Sequence, residues 1–336
     1  MLEPPADLAT DFLRDCLRMD YGLEITEIEF LPLGRDSAAW VYRADTADAA
    51  YFVKLRREIV NNAALVIPRY LSEHGQKNVV APIGTLDGRM WTSAGRYAVV
   101  VYPFVSTQTG MRHGMTERQW REYGRALRQV HEAVVPERIR QLLRVDSFMP
   151  DVAESVRFVD ALVDQNAQDD GPKTTSAEFW RAKRDRIRVV LARAEELGGR
   201  MAAANLSVVL CHADIHTNNV LVAGNDQIWI VDWDETMLAP RERDLMFVVG
   251  GIGPGFVSDA QEKLFFEGYG KVEIDSVALA YYRFAWAVSD IGAYGEQVFA
   301  RPDLSATDRQ EAADRLQSLF APASIVDIAL ASRVPD

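Results

Sequence analysis

Two carboxylates and an amide lie at short, defined spacing in one part of the chain. Residues 212–219 read His-Ala-Asp-Ile-His-Thr-Asn-Asn, and an apolar strand pattern that ends at Asp232 follows them. Phosphoryl transfer needs a carboxylate that accepts or orients the proton of the attacking hydroxyl, and Asp214 is the candidate for this base. It also needs oxygen ligands that hold Mg²⁺ against the phosphates, and Asn219 and Asp232 are the candidates.

The simpler alternative for this segment is a polar turn, because Asp, His and Asn are all common turn formers. A turn does not require the observed spacing of His212, Asp214 and Asn219, nor an aspartate directly after the next apolar strand. The pattern therefore favours a catalytic loop that carries out phosphoryl transfer with ATP and Mg²⁺.

A lysine lies in an apolar strand pattern well upstream of this loop. Lys54 stands within Tyr51–Leu55, where an unpaired ammonium would be costly to bury. The α- and β-phosphates of ATP would supply the anion that it needs. The alternative is an edge-strand lysine that faces solvent. Its position in a β-rich part, far before Asp214, favours the phosphate-binding interpretation.

The elements that must position these residues change in character along the chain. Up to about residue 104 the pattern is mainly β, with a strand expected at 79–83 and one helix over 63–72. Helical patterns dominate after that point. They predict a long helix over 177–197 that ends at two glycines and another helix over 276–299. The sequence thus predicts a small antiparallel sheet with one helix, followed by a larger, mainly helical part.

The composition limits the classes of partner. The chain has 336 residues, with 37 Lys and Arg against 49 Asp and Glu, a formal charge of −12, and 48% hydrophobic residues. This is the profile of a folded globular protein. The acid excess argues against nucleic acid or an anionic membrane surface as the main partner and favours a small cationic ligand. The two cysteines, Cys16 and Cys211, predict neither a disulfide framework nor a cysteine metal site.

The sequence contains no pattern typical of a targeting segment. The first 20 residues hold several aspartates and no long apolar run, and the longest apolar run, Tyr97–Val105, is interrupted by Pro103. We therefore expect a cytoplasmic protein, present as a monomer or a weak dimer.

With these motifs in view, the chain resembles the aminoglycoside phosphotransferase family, whose fold is similar to that of eukaryotic protein kinases. The resemblance is clearest along residues 210–251, where the chain is most similar to spectinomycin phosphotransferases. It extends to Tyr51–Leu55, Val99–Val105 and 268–299. It implies an α+β, bilobal protein-kinase-like fold. Residues 1–104 would form the small β-rich, nucleotide-binding N-lobe, and residues 105–336 the larger helical C-lobe with the catalytic loop and the substrate site.

The resemblance assigns roles to the residues that match the family's motifs. It implies that Asp214 is the catalytic aspartate, that Asn219 and Asp232 are metal ligands, and that Lys54 contacts the phosphates.

Further nucleotide contacts also follow from the resemblance. The segment Tyr102–Val105 is similar to the inter-lobe hinge whose backbone binds adenine, so Tyr102, Phe104 and Val105 are candidate contacts. Ser37, in the loop that corresponds to the family's nucleotide loop, is another.

Two departures from the family pattern concern the phosphate site. The nucleotide loop over residues 33–38 has a single glycine, so a plain turn is an alternative there. Related enzymes pair the strand lysine with a helical glutamate, whereas Asn62 stands where that residue is expected. Glu58 and Asp232 are the alternative partners of Lys54.

A cationic, ring-shaped acceptor would be recognised by aromatic rings and carboxylates. Tyr281, Trp286 and Asp290 lie on the predicted helix 276–299, and Asp290 follows Trp286 by four residues, so the two share a face. The alternative for this group is a core aromatic stripe with solvated acids. Asp234 either faces the substrate or hydrogen-bonds the catalytic loop.

The resemblance implies an ATP- and Mg²⁺-dependent O-phosphotransferase that inactivates an aminoglycoside or aminocyclitol antibiotic. The implied acceptor is spectinomycin, at its 9-hydroxyl. One alternative is a metabolic kinase of the same fold that acts on choline, homoserine or a sugar, because the same motifs would serve it. Another is a catalytically inactive nucleotide-binding module, which the absent helical glutamate keeps open.

Overall fold

The computed structural model describes residues 3–5, 7–32, 39–57, 61–149, 153–165, 172–204, 206–224 and 226–335. The helices are α1 (Thr10–Tyr21), α2 (Asn62–Glu73), α3 (Gly110–His113), α4 (Glu117–His131), α5 (Glu137–Arg140), α6 (Ala153–Gln165), α7 (Pro172–Ala203), α8 (Glu242–Leu245), α9 (Asp259–Tyr269), α10 (Ser276–Phe299), α11 (Ala306–Ser318) and α12 (Ile325–Ala331). The strands are β1 (Glu27–Leu31), β2 (Ala39–Asp45), β3 (Ala50–Arg56), β4 (Thr92–Ala94), β5 (Tyr97–Pro103), β6 (Val209–Cys211), β7 (Val220–Val222), β8 (Ile228–Ile230) and β9 (Met237–Ala239). The predicted α+β, protein-kinase-like class is confirmed.

Close contacts group the chain into two compact units. The first comprises Met1–Arg144 together with His212–Thr236, and the second comprises Val145–Cys211 together with Met237–Asp336. The first unit therefore holds both the sheet and the predicted catalytic segment. The predicted lobes, 1–104 and 105–336, stay a prediction, since compactness divides the chain at other residues.

The first unit contains an antiparallel sheet of five strands in the order β1-β2-β3-β5-β4. Side chains alternate between its two faces. Val53 and Leu55 of β3 belong to the apolar cluster that Leu13 and Leu17 of α1 complete. Lys54, between them, therefore points to the opposite face. The sequence analysis did not predict α1, although the buried leucines of this helix repeat at helical spacing.

The predicted helix over 63–72 is present as α2, whereas the strand expected at 79–83 is wrong. Asn61 caps α2, because its side chain accepts the Ala63 N–H at 3.0 Å. In the segment 79–83, Val79 makes a single bridge to Ile230 of β8. The apolar residues of this segment pack in the core but do not form a continuous ladder of strand hydrogen bonds. The prediction was wrong because it relied on their hydrophobicity alone.

In the second unit, α10 lies at the centre and packs against α6, α7, α11 and α12. α7 was expected to end at Gly198 and Gly199 but continues to Ala203. A Cβ at Gly198 would collide with the carbonyl oxygen of Phe148 and touch the ring of Tyr281. This glycine therefore permits a close approach instead of ending the helix. None of the helices in the described ranges has the length and apolar character that a membrane crossing needs.

A half-buried carboxylate joins α6 to α7 in this unit. Asp160 accepts hydrogen bonds from Trp180 Nε1 at 2.9 Å, Arg184 Nε at 2.7 Å and Arg188 at 3.1 Å. Burial by itself would raise the pKa of Asp160, but these donors outweigh burial and the pKa lies below its ordinary value.

We expect Asp160→Asn to lower the free energy of unfolding by about 1–3 kcal/mol at neutral pH, because charge-assisted hydrogen bonds are lost. A lowered folded-state pKa means that this stabilisation is complete above the unfolded-chain pKa of about 4 and is lost as the pH falls through the folded-state value. Urea unfolding at several pH values should therefore show the gap between the two proteins closing in acid.

The matched control is Glu196→Gln, which breaks an exposed pair with Arg193 on α7. We expect it to change the free energy of unfolding by less than about 1 kcal/mol. A gap between wild type and Asp160→Asn that stays constant from neutral pH to strong acid would contradict the proposed ionic stabilisation.

Candidate active site

The candidate catalytic residues Asp214 and Asn219 are in direct contact. The Asn219 side-chain amide donates to the Asp214 backbone carbonyl at 2.8 Å and to Asp214 Oδ2 at 3.0 Å. A short 3₁₀ turn over Thr217–Asn219 makes this possible, since it folds the chain back so that the Asn219 N–H reaches the His216 carbonyl at 2.8 Å. The five-residue spacing seen in the sequence thus produces one locally closed loop.

The second oxygen of the Asp214 carboxylate, Oδ1, does not take part in the hydrogen bond with Asn219. Oδ1 is buried and has no hydrogen-bond partner among the described residues. His216 Nε2 lies 3.4 Å from it, longer than a normal hydrogen bond. A buried acceptor without a partner is costly and points to a role in function. This oxygen is suited to accept a proton from a hydroxyl group.

Two buried rings hold the loop in place. The hydroxyl of Tyr123, on α4, donates to the Ile215 carbonyl. His212 Nε2 lies 2.9 Å from the Val231 carbonyl, and its Nδ1 lies 3.3 Å from the Asp214 N–H. A carbonyl can only accept, so Nε2 carries the proton and Nδ1 accepts. His212 is therefore a positioning residue, while the sequence presented it only as part of the motif.

The hairpin of β7 and β8 brings the candidate metal ligands together. The Val231 N–H donates to the Asn219 carbonyl at 3.1 Å, so Asp232 follows directly on a residue bonded to Asn219. Asp232 itself has φ of 65°, a left-handed conformation that is uncommon outside glycine. Amide and carboxylate oxygens are the hard ligands that Mg²⁺ prefers, so the donor set fits this ion.

Lys54 of β3 meets the end of this hairpin. Its Nζ lies 3.0 Å from Asp232 Oδ1 and 2.9 Å from Asp234 Oδ2. The sequence left Glu58 and Asp232 as alternative partners of Lys54. Asp232 is in contact with Lys54, and Glu58 lies outside the described residues. α2 begins at Asn62 and has no acidic residue in its first turn. The carboxylates that pair with Lys54 here thus come from the hairpin.

These contacts decide the charges of the groups. Burial by itself would lower the pKa of Lys54, but Asp232 and Asp234 outweigh it and hold the pKa above its usual range. Burial would likewise raise the pKa of Asp232, but Lys54 outweighs it and holds that pKa below its ordinary value. Lys54 is therefore a cation and Asp232 an anion at neutral pH, as a phosphate contact and a metal ligand need to be.

The candidate adenine contacts lie where β5 ends. The Phe104 N–H donates to the Ala50 carbonyl at 3.0 Å, so this amide already has a partner in the sheet. Tyr102, Phe104 and Val105 stay predicted adenine contacts. Ser37 lies outside the described residues.

The candidate substrate residues differ in how accessible their side chains are to a ligand. Tyr281 is 2% exposed and packs against Phe148. The alternative of a core aromatic stripe therefore describes it, and we no longer propose it as a substrate contact. Trp286 is half-buried, and the guanidinium of Arg243 lies 5.3 Å from its ring centroid. Asp290 is also half-buried, and its role stays a prediction.

Asp234 turns towards β3. Its Oδ2 accepts from Lys54 and also from Arg56, at 2.7 Å from NH1. Arg56 was not among the predicted site residues. It lies two residues after Lys54 on the same strand, so the two-residue alternation of β3 was the signal that could have indicated it.

Comparison with known proteins relates the chain to a family of enzymes. Residues 27–283 match the phosphotransferase enzyme family. The crystal structure of spectinomycin phosphotransferase APH(9)-Ia in complex with ADP and spectinomycin is 34% identical, covers 97% of this chain and 99% of its own, and has a TM-score of 0.89. Protein StrN of Streptomyces griseus is 29% identical over 230 residues, which are 66% of this chain and 69% of StrN. Choline kinase LicA from Streptococcus pneumoniae, 14% identical with a TM-score of 0.55 over 92% of this chain and 98% of its own, shares the fold alone.

We expect Tyr123→Phe to destabilise the protein by about 1–2 kcal/mol, because it leaves the buried Ile215 carbonyl without its donor. The change should also lower turnover, since that carbonyl follows Asp214 directly. Urea unfolding and steady-state kinetics would measure the two effects. The matched control is Tyr70→Phe, which removes a hydroxyl bonded to the exposed Val134 carbonyl. Equal effects of the two variants would contradict a special role for Tyr123.

Proposed function

The chain belongs to the phosphotransferase enzyme family, and on that premise we propose that it transfers a phosphoryl group from ATP to a hydroxyl of spectinomycin. The observation that carries this proposal is the contact of Asp214 with Asn219 beside the pairing of Lys54 with Asp232. The enzyme is a phosphotransferase with an alcohol group as acceptor. Nucleotide and antibiotic enter the proposal because the relative that is 34% identical holds ADP and spectinomycin.

Each residue has a separate task in the proposed reaction. Asp214 Oδ1, buried without a partner among the described residues, would accept the proton of the acceptor hydroxyl as it attacks the γ-phosphate. Asn219 would hold Oδ2 and so keep Oδ1 directed at that proton. Lys54 would neutralise phosphate charge.

The residues that would hold the metal are Asn219 and Asp232. Mg²⁺, when bound, supplies positive charge against the β- and γ-phosphates. Asp232 needs to be ionised for this, and its contact with Lys54 keeps it so.

A cationic aminocyclitol suits the charge of the chain. The formal net charge is −12, and most of the acid excess lies beyond residue 106. This favours an amine-bearing acceptor without naming one. A cytoplasmic location and a monomeric or weakly dimeric state remain our expectations.

The two alternatives differ from the proposed function in different ways. A metabolic kinase would have another acceptor, and an inactive module would show no turnover. A metabolic kinase for choline, homoserine or a sugar would use the same motifs, and a choline kinase shares the fold. An inactive nucleotide-binding module would not need Asp214 and Asn219 in hydrogen-bond contact. That contact supports an active enzyme.

We expect Asp214→Asn to lower kcat by about a hundred- to ten-thousandfold, because a positioned general base contributes about that much. ADP binding and the thermal unfolding temperature should be unchanged. ATP consumption in the presence of spectinomycin would measure turnover. The matched control is Asp226→Asn in the same hairpin, whose carboxylate bonds Thr116. Near-normal turnover of a folded Asp214→Asn protein would contradict the mechanism.

We expect kcat/KM for spectinomycin to exceed the values for a kanamycin-type drug and for choline by about tenfold or more. The physical reason is that acceptors of different shape cannot all place a hydroxyl beside Asp214. A coupled ATP-consumption assay with each acceptor measures this ratio. Preferred turnover of choline would support the metabolic alternative, and preferred turnover of a kanamycin-type drug would support a broad aminoglycoside kinase.

A further inference from the structure

Two cations share one face of β3. Lys54 and Arg56 are two residues apart, and both reach the same oxygen, Asp234 Oδ2, at 2.9 Å and 2.7 Å. Their side chains are 18% and 19% exposed. An ammonium and a guanidinium are therefore held within two hydrogen-bond lengths of each other, largely out of water.

Like charges so close together repel, and taking each of them out of water is costly, so they need an anion between them. Asp234 Oδ2 supplies one here. An ammonium and a guanidinium that donate to the same oxygen are also the donors that commonly bind phosphate oxygens in proteins. A guanidinium has five N–H donors, so Arg56 can bond Asp234 and still donate to a phosphate.

Asp234 also lies next to the start of α2. The Asn61 side-chain amide lies 3.4 Å from the Asp234 carbonyl, while its oxygen caps the helix. α2 itself has no acidic residue in its first turn that could reach Lys54. The end of the hairpin and the start of the helix are thus neighbours at Asp234 and Asn61.

We propose that Arg56 is a second phosphate-binding cation beside Lys54, and that Asp234 is the positioning residue that holds the two cations together. The ligand class is a nucleoside di- or triphosphate. This inference rests on the proposed function for the identity of the nucleotide and does not depend on the acceptor.

The test is a binding series measured by isothermal titration calorimetry with ATP, AMP and adenosine, in the absence of any acceptor. Arg56→Ala should weaken ATP binding by about ten- to a hundredfold, because a charge-assisted hydrogen bond to phosphate is lost. AMP should lose less and adenosine nothing. Arg56→Lys should recover part of the ATP affinity, since it restores the charge but not the planar donor group.

The matched control is Arg89→Ala, which breaks an exposed arginine–aspartate pair in the same unit and should leave the whole series unchanged. Unchanged ATP affinity in Arg56→Ala would overturn the proposal. An equal loss for ATP and adenosine would do so too, because it would show a general disturbance of the sheet. Wild-type protein that binds ATP no better than adenosine would likewise overturn it.

Asp234→Asn tests the positioning role. ATP affinity should fall while adenosine affinity stays, and KM for ATP should rise more than kcat falls. A gain in ATP affinity would overturn this role, since the carboxylate would then be competing with phosphate. The binding series needs no acceptor, so failure of the phosphate site and failure of the spectinomycin assignment give different results.

Discussion

The pairing of Lys54 with Asp232 and Asp234 is the interaction on which the candidate site depends. It joins a strand of the sheet to the end of the catalytic hairpin, and it keeps a largely buried ammonium charged. The same contact keeps Asp232 ionised for a metal. Removing both carboxylates would leave the largely buried ammonium of Lys54 without a compensating charge, which is costly. The site is therefore pre-organised electrostatically by its own residues.

The hairpin achieves its geometry with local devices. A 3₁₀ turn, a left-handed Asp232 and the buried His212 ring direct the loop so that Asp214, Asn219 and Asp232 come together. Backbone conformations of this kind are held by surrounding hydrogen bonds and recur at functional sites. Tyr123 adds an anchor from a separate helix. The proposed chemistry thus depends on a short segment, and Tyr123 and His212 hold that segment in place.

Pattern reasoning succeeded where contacts are local and failed where they are not. The helix 276–299 has the predicted bounds, because its local periodicity determines them. The strand expected at 79–83 is absent, and α7 passes through Gly198. In both cases packing partners from distant parts of the chain outweigh the local signal.

The sequence by itself determined the reaction class, since Asp214, Asn219 and Asp232 are close along the chain and need only one loop and one hairpin to meet. Only the tertiary structure decided which groups surround Lys54. Its two carboxylates and the neighbouring Arg56 come together across 178 to 180 residues. Such contacts depend on how a strand and a hairpin pack, and a linear pattern of residue types does not encode that packing.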